Sequence, residues 1–241
     1  MFPDDLDTVF FDAGGTLVHV DYAFIVELAA GHGVAIDPAR MPHGDAAARL
    51  AMDRRLQAVG ARADSDRARV PSYFETLLLG AGVAAQAARS LAPHVQAAHR
   101  QGNLWRVPFA DAAAVLEGLR AAGLATAVIS NADGRVRAVL EAAGLLAHLD
   151  FVIDSHEEGV EKPDPEIFHR AVARRGTAAA RAAYVGDIYA VDVVGARAAG
   201  LAPCLVDPTG SYAGADCPRV ASLSELLERL GRQPAGLTSG G

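Results

Sequence analysis

Short apolar runs that end in polar residues recur along the chain, and each has the composition of a buried strand. The first run covers Thr8–Asp12 and stops at a glycine-rich turn. Four later runs follow the same pattern: Ala125–Ser130, Phe151–Asp154, Ala182–Val185 and Leu201–Val206. Because β-branched and aromatic residues fill these runs and turn formers bound them, they predict buried strands.

Stretches of helical periodicity separate these runs. They cover Ala110–Ala122, Gly134–Ala143, Pro165–Arg174 and Asp192–Ala199. The alternation of strand and helix predicts an α/β fold, a doubly wound parallel sheet with helices on both faces. Ligands of such sheets bind at the carboxyl ends of the strands. Asp12, Ser130 and Asp187 all fall at such ends, so we expect them to converge.

Residues 21–104 break the alternation, because they contain helical patterns and no convincing strand. The predicted helices are Tyr22–Ala30, Gly44–Ala58, Ser72–Leu79, Ala84–Leu91 and His94–Arg100. We therefore expect an all-helical insertion at residues 21–104 in a core formed by residues 1–20 and 105–232. An insertion directly after the first strand would act as a lid over the carboxyl ends. Residues 233–241 lack apolar periodicity, and we expect them to be disordered.

Large apolar side chains recur within the insertion, which is typical of a helical domain with a core of its own. The residues expected to form this core are Phe24, Leu28, Tyr73, Phe74 and Leu77. Trp105 and Arg106 lie where the chain returns from the insertion. We expect these two residues to pack at a hinge rather than to contact a substrate.

Composition and charge narrow the classes of protein that fit this pattern. Hydrophobic residues make up 51% of the chain and charged residues 21%, as in globular proteins. The formal net charge is −7 and no stripe of Lys or Arg occurs, which argues against nucleic-acid binding. No segment has the apolar length of a signal peptide or membrane span, so we expect a cytoplasmic protein without a membrane partner. Cys204 and Cys217 are interpreted as structural.

Polar residues after the first two predicted strands supply parts that phosphoryl transfer to a carboxylate requires. Asp12 is the candidate nucleophile. The amides of Gly15 and Thr16, in the turn that follows, can approach a bound anion closely because glycine offers no side-chain interference. Ser130 and Asn131 add a hydroxyl and an amide at the end of the second strand. These residues are therefore candidates for phosphate binding.

Three further residues supply charge. Lys162 lies just before a helix whose first position suits Pro165, and it can place a fixed positive charge there. Asp187 ends a predicted strand and Asp192 begins the next helix. Two carboxylates at this spacing suit Mg²⁺, which prefers oxygen ligands and retains several waters. The sequence therefore predicts a magnesium site.

Four segments, in this order, resemble the four motifs of the haloacid dehalogenase superfamily: Phe10–Leu17, Val128–Asn131, Lys162–Pro163 and Val185–Asp192. One such segment alone is weak, because D-x-x-G-T is common by chance, whereas four in order at strand ends are a strong signal. The resemblance extends from about Asp7 to Val206. The helical insertion resembles the superfamily's C1 cap, and the core its Rossmann-like domain.

The resemblance implies a role for each matched residue. Asp12 would be the nucleophile and a metal ligand, and the backbone carbonyl of Gly14 would be a second ligand. Ser130 would donate a hydrogen bond to the phosphate, and Lys162 would hold nucleophile and phosphate together. The carboxylates that would bind Mg²⁺, directly or through water, are Asp187 and Asp192.

One position departs from the phosphatase pattern. Phosphatases of this superfamily usually carry a second Asp two residues after the nucleophile, as general acid and then general base. Here that residue is Gly14, which has no side chain. Two interpretations of His19 and Asp21 stay open: they replace the missing acid, or they are hinge residues.

These observations predict a magnesium-dependent phosphatase that acts on a small phosphorylated metabolite through an aspartyl-phosphate on Asp12. Because Gly14 replaces the usual acid, we expect weak activity or a restriction to good leaving groups. One alternative is a non-catalytic protein that binds a ligand or partner. Another is a dehalogenase-type carbon hydrolase, which the pair of Asp187 and Asp192 disfavours. The sequence leaves the metabolite and the oligomeric state open.

Overall fold

The structure, a computed structural model, describes residues 2–59 and 66–231, and side chains in residues 2–58 and 72–231. The predicted disordered tail, residues 233–241, lies outside the described residues. The chain divides into two compact units. The first is the core unit, Met1–His19 with Pro108–Gly241, and the second is the helical unit, Val20–Val107.

The strands of the described residues are β1 (Thr8–Phe11), β2 (Val18–Val20), β3 (Trp105–Pro108), β4 (Ala125–Ser130), β5 (Val152–Asp154), β6 (Ala182–Gly186), β7 (Ala202–Val206) and β8 (Arg219–Val220). Six of them form one sheet in the order β5-β4-β1-β6-β7-β8, and every neighbouring pair is parallel. Strands are added on both sides of β1, so the sheet is doubly wound. The predicted α/β fold with a parallel sheet is confirmed.

The α-helices of the described residues are α1 (Tyr22–Gly31), α2 (Met41–Val59), α3 (Asp66–Gly80), α4 (Ala85–Gln101), α5 (Ala112–Ala121), α6 (Val136–Ala142), α7 (Ser155–Glu158), α8 (Pro165–Arg175), α9 (Val194–Ala198) and α10 (Leu223–Arg229). None of the helices in residues 2–59 and 66–231 has the length and apolar character that crossing a membrane requires.

Helix α8 illustrates how local sequence sets an element. Asp164 caps its amino end, since the carboxylate accepts from the Glu166 N–H at 3.0 Å. Pro165 occupies the first turn, where its missing N–H costs nothing. Gly176 ends the helix with φ of 72°, a conformation that favours glycine. The helix therefore begins and ends close to the predicted Pro165–Arg174.

A buried hydrophobic cluster holds α8 and α9 against one face of the sheet. Its members include Phe10, Ala127, Ile129, Ile167, Phe168, Tyr184 and Ala196. Full burial of one large apolar side chain contributes about 1.5–3 kcal/mol. This packing holds β1, β4 and β6 in place, and with them the residues that follow these strands.

The predicted helix Asp192–Ala199 is wrong at its start. The structure has a π-helical turn at Tyr189–Val193, followed by α9. Asp192 lies inside that turn, where its Oδ2 accepts from the N–H groups of Asp187 and Ile188 at 3.0 and 2.9 Å. Its carboxylate therefore organises the turn between β6 and α9 instead of starting a helix.

The helical unit has a hydrophobic core of its own. Tyr73, Phe74 and Leu77 are buried in it, and Phe24 and Leu28 pack against it, as the sequence pattern predicts. The Trp105 ring packs against this core as well, with centroids 5.0 Å from Tyr73 and 5.5 Å from Phe74.

Two helices predicted at Ala84–Leu91 and His94–Arg100 are one helix, α4, with Pro93 inside it. Pro93 removes one backbone hydrogen bond and crowds the preceding turn. The buried side chains of α4 nevertheless follow one stripe across the proline: Ala88, Leu91, Ala92 and Val95. Burial of this continuous stripe outweighs the local cost, so the helix continues.

Candidate active site

Asp12 follows β1 directly at the carboxyl edge of the sheet. Its N–H donates to the carbonyl of Val185 at 2.8 Å, which continues the pairing of β1 with β6 by one residue. Its Oδ1 accepts from the N–H of Ala13 at 2.7 Å. The side chain is therefore held in one orientation, and the residue is only 9% exposed.

The turn after Asp12 is shaped by Gly15, which has φ of 76°. A Cβ on Gly15 would lie 2.1 Å from Oδ2 of Asp187, so only glycine allows this approach. The Gly15 N–H donates to the carbonyl of Val18 at 2.7 Å. Thr16 is fully buried, and its Oγ1 has no hydrogen-bond partner among the described residues. Of the two candidate phosphate-binding residues in this turn, Thr16 is the one with an unused side-chain polar atom.

Lys162 reaches the same edge from the loop before α8, and it is 1% exposed. Its Nζ lies 3.0 Å from Oδ1 of Asp12 and 2.8 Å from Oδ1 of Asp192. It also donates to the hydroxyl of Tyr184 at 2.6 Å. The three N–H bonds of the ammonium group therefore have three acceptors.

Three carboxylates meet at this edge. Asp12, Asp187 and Asp192 each offer an oxygen, and these oxygens lie within 4.8 Å of one another. Asp187 and Asp192 are 2% and 1% exposed. Gly186 is required beside them, because a Cβ there would lie 2.3 Å from Cγ of Asp192. The close approach of Asp187 to the turn after β1, and of Asp192 to the end of β6, therefore requires glycine at positions 15 and 186.

The donor set fits a hard divalent cation. All three side chains provide oxygen ligands, which Mg²⁺ prefers to nitrogen or sulfur. Three carboxylates against the single ammonium of Lys162 leave an excess of negative charge in a buried place. Burial of unbalanced charge is costly unless a cation is bound. The chemistry of the residues therefore fits the predicted magnesium.

Burial and charge set the protonation of the neighbouring groups. Burial raises the pKa of the Asp12 carboxyl, and Lys162 partly offsets that effect. Burial alone would lower the pKa of Lys162, but Asp12 and Asp192 outweigh it and hold that pKa above its usual range. Burial, together with the same carboxylates, raises the pKa of Tyr184 well above its usual value. Lys162 is therefore charged and Tyr184 is a neutral phenol.

Ser130 ends β4 and Asn131 follows it, and β4 pairs with β1, the strand that precedes Asp12. The side chain of Asn131 makes two hydrogen bonds to the backbone of Lys162: Nδ2 donates to its carbonyl at 2.9 Å, and Oδ1 accepts from its N–H at 2.8 Å. Both polar ends of Asn131 thus support the lysine loop. Its predicted contact with a substrate stays a prediction, as does that of Ser130.

The match to known proteins agrees with this geometry. Residues 6–200 match the sequence profile of the haloacid dehalogenase-like hydrolases. The chain belongs to this family.

This haloacid dehalogenase-like hydrolase is similar in sequence to two curated proteins over more than half of its length. It is 38% identical over 177 residues to phosphoserine phosphatase of Thermus thermophilus, covering 71% of this chain and 68% of that enzyme. It is 39% identical over 152 residues to haloacid dehalogenase-like hydrolase domain-containing protein 3 of Bos taurus, covering 61% of this chain. The match spans 60% of the length of that bovine protein and 52% of its mouse counterpart.

A solved structure shares the fold of this hydrolase along nearly its whole length. The crystal structure of a dehalogenase aligns with a TM-score of 0.63 and 22% identity, covering 95% of this chain and 98% of the other. Similarity at this identity shows a common fold.

The two candidate replacements for an acid at Gly14 are both engaged elsewhere. Oδ1 of Asp21 accepts from the Phe24 N–H at 3.0 Å and so caps α1. Oδ2 of Asp21 lies 2.8 Å from Arg106, whose guanidinium also stacks over the Phe24 ring. The His19 ring packs against Phe109, with centroids 5.1 Å apart. These contacts lie at or next to β2, which pairs with β3 as a two-stranded sheet. The two interpretations of His19 and Asp21 stay predictions.

Sequence reasoning missed Tyr184. Its residue type fits a buried strand as well as phenylalanine does, so the apolar run gave no reason to single it out. The available signal was its hydroxyl, because a buried hydroxyl needs a hydrogen-bond partner. The structure places that hydroxyl on the candidate catalytic lysine.

Proposed function

We propose that this hydrolase is a magnesium-dependent phosphatase that transfers the phosphoryl group of a small metabolite to Asp12 and then to water. The observation that carries the proposal is the cluster of three buried carboxylates around Lys162. Carboxylates at this density exclude an anionic substrate unless a cation is bound. Similarity to the phosphoserine phosphatase of Thermus thermophilus supports phosphate monoesters as the substrate class.

The proposed ligands of Mg²⁺ are the carboxylates of Asp12, Asp187 and Asp192, together with the backbone carbonyl of Gly14. When bound, the ion would neutralise charge on the transferring phosphoryl group. Lys162 supplies the remaining positive charge within the cluster. Its ion pair with Asp12 at 3.0 Å orients that carboxylate and favours its ionised form, in opposition to the burial.

In the first proposed step, a carboxylate oxygen of Asp12 attacks phosphorus. The bond from phosphorus to the leaving oxygen breaks, and that oxygen departs with the electron pair. In the second step, water attacks phosphorus of the aspartyl-phosphate and the bond from phosphorus to the Asp12 oxygen breaks. Inorganic phosphate and the water proton leave, and the carboxylate of Asp12 is regenerated. Ser130 and Thr16 are proposed to donate hydrogen bonds to phosphate oxygens.

Gly14 sets the expected substrate range. It provides no acid to protonate the leaving oxygen and no base to activate the water, and general acid–base catalysis contributes about 10²–10⁴-fold. A leaving group that departs readily as an anion needs no such help. We therefore propose that acyl and aryl phosphates are hydrolysed faster than sugar phosphates, and that the phosphoenzyme is long-lived.

The helical unit follows the Asp12 motif directly in the chain, which is the position of a C1 cap. We propose that it is such a cap and selects the metabolite. The position of the insertion and its independent hydrophobic core support this proposal.

The test is a panel of phosphorylated metabolites and aryl phosphates, assayed for phosphate release with magnesium and with excess chelator. The proposal expects magnesium-dependent release, fastest from activated phosphates. Halide release from 2-haloacids in excess chelator would instead support the dehalogenase alternative. Saturable binding of phosphorylated ligands without release of phosphate would support the non-catalytic alternative.

A further inference from the structure

The phenol of Tyr184 is buried in the middle of the sheet, where a phenylalanine would serve packing equally well. Tyr184 is fully buried in β6, between Phe10 of β1 and Pro203 of β7. The Phe168 ring from α8 meets it edge-on, with centroids 4.9 Å apart. The Phe168 contact involves the ring, and the pairings with Phe10 and Pro203 involve the backbone. The hydroxyl therefore needs a separate explanation, since burial of a hydroxyl is unfavourable unless it is hydrogen-bonded.

The hydroxyl of Tyr184 lies at the centre of a small polar network. It accepts from Nζ of Lys162 at 2.6 Å. Its own single proton has two acceptors within reach, the carbonyl of Ile129 at 2.9 Å and Oδ1 of Asp192 at 3.3 Å. The phenol thus ties the lysine to the backbone of β4, which is a rigid part of the sheet.

The three partners of the lysine differ in charge. Asp12 and Asp192 are carboxylates that we propose to bind Mg²⁺ as well, so their interactions with Lys162 change when the cation and phosphate bind. Tyr184 is neutral, and no metal role is assigned to it. Among the acceptors of the Lys162 ammonium, it is the one that has no proposed metal role, and ring packing and the hydrogen bond to the Ile129 carbonyl fix its position.

We propose that Tyr184 is a positioning residue, which anchors the ammonium of Lys162 beside Asp12 while the carboxylates exchange partners during the reaction. Without the hydroxyl, one N–H of a buried ammonium loses its acceptor. The ammonium would then shift toward Asp192, away from Asp12 and the phosphate. This loss affects the chemical step more than substrate binding, since Lys162 contributes most where charge develops.

Tyr184→Phe is the decisive variant, and Tyr189→Phe is its matched control. Tyr189 loses the same atom, but its hydroxyl bonds Asp216 and Arg197 at the surface. We expect kcat of Tyr184→Phe on an aryl phosphate to fall about 10- to 100-fold, the range for loss of a hydrogen bond to a charged group, with KM within about twofold. Tyr189→Phe should keep the wild-type kcat. An unchanged kcat in Tyr184→Phe would overturn the proposal.

A second measurement is independent of the proposed function. With nitrogen-15 lysine, the buried Lys162 ammonium should give slowly exchanging N–H signals by NMR, and these should shift and exchange faster in Tyr184→Phe. In Lys162→Met, the slowly exchanging phenolic proton of Tyr184 should shift, which keeps the test available if Tyr184→Phe does not fold. Unchanged signals would overturn the positioning role. The kinetic arm rests on the proposed function, so a wild type that hydrolyses no phosphate would refute that function while the NMR result still judges Tyr184.

Discussion

Two groups of charged side chains that are buried among the described residues, one in each unit, are assembled in different ways. In the helical unit, Asp45, Arg49 and Asp53 follow one another at four-residue spacing on α2, and all are at most 7% exposed. Arg49 pairs with Asp45 at 3.5 Å, and Gln57 donates to Asp53 at 2.7 Å. These partners lie within one turn of the same helix.

The core unit brings its charges together from distant parts of the chain. Asp12, Lys162, Asp187 and Asp192 come from the ends of two strands, a loop and a π-helical turn. Local pairs on one helix satisfy each other and stabilise the element that carries them. A cluster of distant like charges needs something further to balance it. We therefore expect the charged residues of α2 to stabilise the fold, and those of the core unit to take part in the reaction. Substitutions in each group test this expectation.

The largest effect is expected from Asp12→Asn, with Asp45→Asn as the matched substitution in the helical unit. An amide cannot form the aspartyl-phosphate, so turnover should fall by roughly 10³-fold or more. Asp45→Asn should leave kcat on a small aryl phosphate within about threefold. Phosphate release and circular dichroism of both variants check this. If Asp12→Asn kept most of its rate, covalent catalysis through Asp12 would be wrong.

The second largest loss of activity is expected from Asp187→Asn. This change removes one proposed ligand of Mg²⁺, and activity should fall by more than the roughly 10–100-fold that the loss of a residue supporting a metal ligand costs. Asp154→Asn is the control, because this buried strand-end carboxylate accepts from nearby backbone N–H groups, among them those of Gly134 and His156, and has no role in the proposed metal site. Activity should be measured as a function of magnesium concentration. Equal magnesium dependence in the two variants would contradict the ligand role of Asp187.

Gly14→Asp should produce a gain. Gly14 is partly exposed and, unlike Gly15, does not have a positive φ, so an aspartate fits its backbone. A new general acid should raise kcat on alkyl phosphates by about 10²-fold or less, with little change on acyl phosphates. The ratio of the two rates is the measurement. No gain, in a protein whose wild type hydrolyses alkyl phosphates rapidly, would mean that another residue supplies the proton, with His19 the first to test.

The smallest effect on activity is expected from Tyr73→Phe, which should act on stability. The buried hydroxyl of Tyr73 donates to Oδ1 of Asp45. Its removal leaves that carboxylate short of a partner, and the free energy of unfolding should fall by about 1–3 kcal/mol. Urea unfolding measures this, with Tyr189→Phe as a surface control. A large loss of kcat at unchanged stability would remove the distinction between the two groups.

Much of the fold follows from the sequence because parallel strands buried on both faces give continuous apolar runs. Strands β1, β4 and β6 were predictable for that reason, and the start of α8 was predictable because Pro165 suits a first helical position. Strand β8 is only two residues long and depends on pairing with β7, so no local pattern marks it. The continuity of α4 through Pro93 depends on burial, which outweighs the local preference of proline.

That the site residues lie close together could be predicted from the sequence, whereas their individual contacts could not. Carboxyl ends of parallel strands share one edge, so Asp12 and Asp187 had to lie close together. The π-helical turn around Asp192 could not be predicted, since helical periodicity does not distinguish it. The hydrogen bonds of the Tyr184 hydroxyl and of the Asn131 side chain join residues that are distant in the sequence, so the sequence does not predict them. The chemical roles of these residues stay predictions.

Mass spectrometry of the quenched enzyme tests directly whether Asp12 carries the phosphoryl group. Wild-type protein is mixed with an acyl phosphate and magnesium, quenched in acid during turnover, digested and mapped. The account predicts one added phosphoryl group on the peptide that contains Asp12, absent in excess chelator and in Asp12→Asn. Steady phosphate release with that peptide unmodified would contradict it.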